Sequence, residues 1–126
     1  MQARPFARPR PASNFEMYAW FFTRISAVVL FLMALFHLVY MDIALGVDAI
    51  SFQLIAWRWQ NPAWRLFDLF LLTFGWLHGA NGMRIIIDDY VHAQGWRVLV
   101  KSLLYLLTFV LIILGAYVIL TFKATG

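Results

Sequence analysis

The stretch from Gly75 to Tyr90, GWLHGANGMRIIIDDY, sets chemically capable residues against an apolar background. His78 offers an imidazole nitrogen that can bind a metal. Gly75, Gly79 and Gly82 lie close to it in sequence and carry no side chains. On a helix turning 100° per residue, Asp89 returns to the face of His78 about 16 Å further along the axis. Such a small-residue strip lets a second helix or a flat macrocycle approach the backbone. Two readings of His78 stand on these residues. It is an axial ligand to haem iron, with the porphyrin filling the room the glycines leave, or it is a packing histidine that hydrogen-bonds a neighbouring helix. Two readings also stand for Asp89 and Tyr90. The Tyr90 hydroxyl can hydrogen-bond a quinone carbonyl, with Asp89 orienting it or carrying protons. Alternatively, Tyr90 is an interfacial anchor beside solvated acids. Asp88 reads as solvated.

Other ionisable residues fall inside apolar runs, where charge is costly and marks functional candidates. They are Arg24, His37, Asp68 and Arg84. His37 has three readings: a ligand to a second haem, a partner facing His78 across one haem, or a side chain bonded to a polar group on another helix. Asp68 reads as an interface or packing residue. Arg84 reads as snorkelling or facing a propionate. Asp42 sits at the outer edge, and His92 reads as solvated.

These residues need elements to hold them, and composition says which. The chain has 126 residues, 63% hydrophobic and 13% charged, against about 45–50% and about 25% in soluble domains. Its mean hydropathy is +0.77. A single globule of this size cannot hide so much apolar surface, so lipid is the expected solvent and a self-contained soluble enzyme is excluded. The net charge of +4 is carried by scattered basic residues near the ends of apolar runs, which fits membrane topology and anionic headgroups and argues against nucleic acid. There is no cysteine, hence no disulfide and no thiolate metal site. The expected fold is an all-α membrane protein. Three apolar stretches, about 18–43, 66–87 and 98–122, are each long enough for a transmembrane helix. Residues 1–16 form an expected polar N-terminal segment, and 17–126 the three-helix anchor. Arg4, Arg8 and Arg10, with Arg97 and Lys101 in and beyond the second connection, place the N-terminus in the cytoplasm. Residues 50–60 are expected as a short helix along the outer interface. The short chain without a transit peptide points to a bacterial inner membrane.

At His78, Gly82, Asp89 and Tyr90 the chain resembles the small hydrophobic membrane-anchor subunit of succinate dehydrogenase, respiratory complex II, the cytochrome b556-type D chain. The segment WFFTRISA from Trp20, with Arg24 in the first turns of the first span, is similar to the start of that family's first helix. The resemblance runs from about Asn14 to Phe122. It implies one half of a heterodimeric anchor bundle. His78 matches the axial haem b ligand, Tyr90 the quinone-bonding tyrosine with Asp89 beside it, and Arg24 a basic residue near the haem propionates. Snorkelling to headgroups competes as the role of Arg24. The resemblance further implies three partners: a second membrane-anchor subunit with the other haem ligand, a flavoprotein with FAD, and an iron–sulfur subunit. The whole passes electrons from succinate to quinone in the respiratory chain and citric acid cycle, and this chain is not catalytic alone. One haem or two per complex both fit, the second through His37. A fumarate reductase anchor and a cofactor-free structural subunit are the alternatives.

Overall fold

The computed structural model describes residues 14–123. The expected segment 1–16 therefore lies mostly outside the described residues. All regular structure among the described residues is helical. Helix α1 spans Phe15–Leu38 and runs on as a π-helical stretch, Val39–Ala44. Gly46, at φ 87, then turns the chain in the left-handed region that favours glycine. Helix α2, Phe52–Arg58, is the short helix expected within 50–60. Ser51 caps it by accepting from Leu54 N at 3.2 Å. Helix α3, Pro62–Tyr90, begins with Asn61 accepting from Ala63 N at 2.9 Å and with proline in the first turn. Helix α4 spans Gln94–Thr121.

The central element is α3, packed against both α1 and α4. Both pairs are antiparallel, since contacts step in opposite directions along the partners. From α1 to α3, Glu16 meets Arg84, Ser26 meets His78 and His37 approaches Asp68. From α3 to α4, Arg65 donates to Ile119 O and Phe122 O, and Asp88 meets Lys101. Gly115 lets Leu72 of α3 pack close on α4: an added Cβ would fall 2.6 Å from Leu72 Cδ2.

Burial is inverted relative to a water-soluble bundle. Among the described residues only Ala19, Met41, Ala56, Ala80, Ile87 and Ile119 are buried apolar residues, while long rows of Phe, Leu, Ile and Val on α1 and α4 face outward. Ser26, Arg58, Arg84 and Thr108 are buried polar residues. Apolar outside with polar pairs inside is the arrangement lipid favours. Among the described residues two stretches, Phe15–Ala44 and Gln94–Thr121, are long and apolar enough to cross a membrane by length and composition. Helix α3, at 29 residues, reaches about 43 Å, but its ionisable residues keep it out of that class. The expectation of three spans is thus met on composition by two.

Candidate functional site

His78 faces α1. Its Nδ1 lies 2.7 Å from the hydroxyl of Ser26, which is 3% exposed. Its Nε2 has no hydrogen-bond partner among the described residues and is not sealed from the surface. One turn along α3, Asn81 donates to the Thr23 hydroxyl and to Ala19 O at 3.2 Å, tying the same two helices. Gly75, Gly79 and Gly82 are open: a Cβ added at any of them would meet no heavy atom within 4 Å. No side chain fills the space beside these glycines, and Leu104, Leu107 and Thr108 of α4 line an open groove with Gly75 and Gly79. A histidine bonded through one nitrogen beside an open backbone face fits an axial ligand with room for a flat macrocycle.

Towards the start of α1, Arg84 is 5% exposed and donates to both carboxylate oxygens of Glu16, at 2.9 and 3.3 Å. Its Nε donates to Asn81 Oδ1 at 3.2 Å. Arg84 is thus not a free snorkelling side chain: its donors are engaged by the exposed Glu16 and by Asn81. Arg24 is exposed, with its guanidinium 4.6 Å from the ring centre of Trp20. Arg24, Arg84, Glu16 and Trp20 line a groove of about 950 Å³. Asp89 and Tyr90 end α3 exposed, Tyr90 at 78%, and neither contacts the His78 region. Asp88 is corrected from solvated to paired. It accepts from Lys101 Nζ at 2.7 Å, and Arg97 Nε lies 3.9 Å away. The Lys101 hydrogen bond holds its carboxyl below the usual carboxylate range. Desolvation opposes that shift, and the charges of Lys101, Arg84 and Arg97 add to it.

At the far end of α1 lies a second polar cluster. Asp68 accepts from both guanidinium ends of Arg58, one at 2.8 Å, and from Trp59 Nε1 at 2.7 Å. Arg58, 2% exposed, stands 4.6 Å from the Trp64 ring centre. Asp68 is thus the counter-ion of a buried arginine, which gives the interface or packing role read for it a specific partner. His37 Nδ1 is buried without a hydrogen-bond partner among the described residues, 3.7 Å from Asp68 Oδ1. Asp68 and His78 are about 15 Å apart along α3. The two axial nitrogens of one iron are about 4 Å apart, at ~2 Å per metal–imidazole bond. His37 and His78 therefore do not share one haem, and that reading is corrected.

Glu16, Ser26, Asn81 and the Arg58–Asp68 pair escaped the reading of the sequence. A signal existed for two of them. Thr23 and Ser26 are spaced on α1 as His78 and Asn81 are on α3, and mirrored polar spacing is what an antiparallel pair aligns.

Fold and site together define a helical membrane protein whose few polar groups are turned inward around an open histidine–glycine face. Compared with known families, residues 2–121 match the succinate dehydrogenase/fumarate reductase transmembrane subunit, and the chain belongs to that family. It is accordingly a membrane subunit that associates with the other subunits of such a complex. No individual curated protein matches the chain.

Proposed function

We propose that this chain is the haem b-binding anchor of a succinate:quinone oxidoreductase, with three spans, a cytoplasmic N-terminus and a place in a bacterial inner membrane. The observation that carries the proposal is His78, bonded to Ser26 through one nitrogen, unpartnered at the other among the described residues, and set beside glycines whose missing side chains leave open space. Support for α3 as the third span is that its charges have partners: Arg65 with the α4 carbonyls, Asp68 with Arg58 and Arg84 with Glu16. Internal pairing is how ionisable residues are tolerated at membrane depth.

In this reading His78, together with a residue of the second membrane-anchor subunit, would hold the haem iron, and Arg24 would pair with a propionate. The haem, when bound, supplies a one-electron carrier within the membrane. Tyr90 donates its hydroxyl to a quinone carbonyl at the cytoplasmic edge, and Asp89 beside it holds or passes a proton. Flavin and iron–sulfur chemistry belong to the docked soluble subunits. A second haem at His37 is the further reading, with His37 Nδ1 3.7 Å from the Asp68 carboxylate and not hydrogen-bonded to it. A pyridine haemochrome assay of the purified complex tests the proposal. One haem per complex supports His78 alone, two support His37 as well, and none favours a cofactor-free structural subunit.

A further inference from the structure

We propose that Ser26 is a positioning residue that fixes which nitrogen of His78 is offered to iron. The proposal rests on the reading of His78 as a haem ligand and assigns a role that reading does not contain.

Ser26 Oγ lies 2.7 Å from His78 Nδ1 and 3.3 Å from Thr23 O. A hydroxyl has one proton to give and two lone pairs with which to accept. Thr23 O can only accept, and in the proposed arrangement it takes the serine proton. Ser26 Oγ then accepts from His78, which places the imidazole proton on Nδ1. A neutral imidazole with its proton on Nδ1 has its lone pair on Nε2. That is the nitrogen without a partner among the described residues. The opposite direction, serine donating to Nδ1, would put the proton on Nε2 and remove the ligand lone pair.

The neighbours of Ser26 hold it to this direction. The Thr23 hydroxyl donates to Ala19 O at 2.8 Å and accepts from Asn81. The turn of α1 that carries the acceptor carbonyl is thereby pinned to α3 one turn from His78. Ser26 is buried, so water does not replace it as acceptor. An oxygen acceptor on Nδ1–H makes the opposite nitrogen more basic and a better ligand, more so for the ferric state.

The test uses the purified complex with Ser26→Ala, Ser26→Thr, Ser26→Cys and His78→Ala. Succinate oxidation with an artificial acceptor reports assembly. Haem midpoint potential and haem dissociation report the ligand. Ser26→Ala is expected to shift the midpoint to more positive values and weaken haem retention about 10-fold. Ser26→Thr, which keeps the hydroxyl, restores both. Ser26→Cys keeps a similar shape with a poorer acceptor and shifts the midpoint in the same direction, which preserves the test if Ser26→Ala fails to assemble. Wild-type midpoint and retention in both Ser26→Ala and Ser26→Cys would overturn the role of Ser26. If His78→Ala has meanwhile lost the haem, the ligand reading survives that failure. An unchanged haem spectrum in His78→Ala overturns both.

Discussion

Tyr90 carries the sharpest chemical expectation outside the haem face, because it is exposed and bonded to nothing among the described residues. A hydroxyl so placed serves a ligand or nothing. Tyr90→Phe is expected to lower quinone reduction about 5-fold, the worth of one hydrogen bond of ~1 kcal/mol. Succinate oxidation with an artificial acceptor should persist. Equal loss of both activities would remove Tyr90 from the quinone site. At this scale the sequence showed His78, the glycines, Asp89 and Tyr90, because helical phase follows from residue number alone. It did not show that Ser26 and Glu16 meet His78 and Arg84. Those partners lie on another helix, and a serine or glutamate in the first span carries no local mark of the residue it will face.

Between elements, the buried Arg58–Asp68 pair ties α2 and its flank to α3. Asp68→Ala leaves an uncompensated arginine and is expected to cost about 3–5 kcal/mol, read as a lower thermal midpoint in detergent. Arg58→Met with Asp68→Leu should recover much of that loss, since an apolar pair removes both charges. Asp88 links the ends of α3 and α4 differently, because its pairing depends on pH. Its folded pKa is lowered by the Lys101 hydrogen bond. The stabilisation is therefore present above the unfolded carboxylate pKa of about 3.9 and is lost as pH falls through the folded value. Thermal midpoints of wild type and Asp88→Asn should differ at neutral pH and converge in acid. A constant difference would mean that the Lys101 contact contributes nothing. Arg58 and Arg65 stand in the sequence only as cations just before the second apolar stretch. Their structural roles, counter-ion to Asp68 and donor to the α4 carbonyls, depend on the loop fold, which no charge count encodes.

For the whole molecule, composition named the solvent and lengths gave the helices, but α3 shows the limit of hydropathy. Its charges lower the apolar signal, and only tertiary pairing shows that they are neutralised. Topology can be read by labelling, since the chain has no cysteine of its own. Single Ala93→Cys and Gly126→Cys variants should label from opposite sides of the membrane, with Ala93→Cys cytoplasmic. Labelling from one side would break the three-span topology. The account as a whole depends on haem at His78. The direct measurement is the reduced-minus-oxidised spectrum of the purified complex, wild type against His78→Ala, at matched succinate oxidation with an artificial acceptor. A b-type band present in wild type and lost or shifted in the variant is the predicted result. The same band at the same position and intensity in both would contradict it.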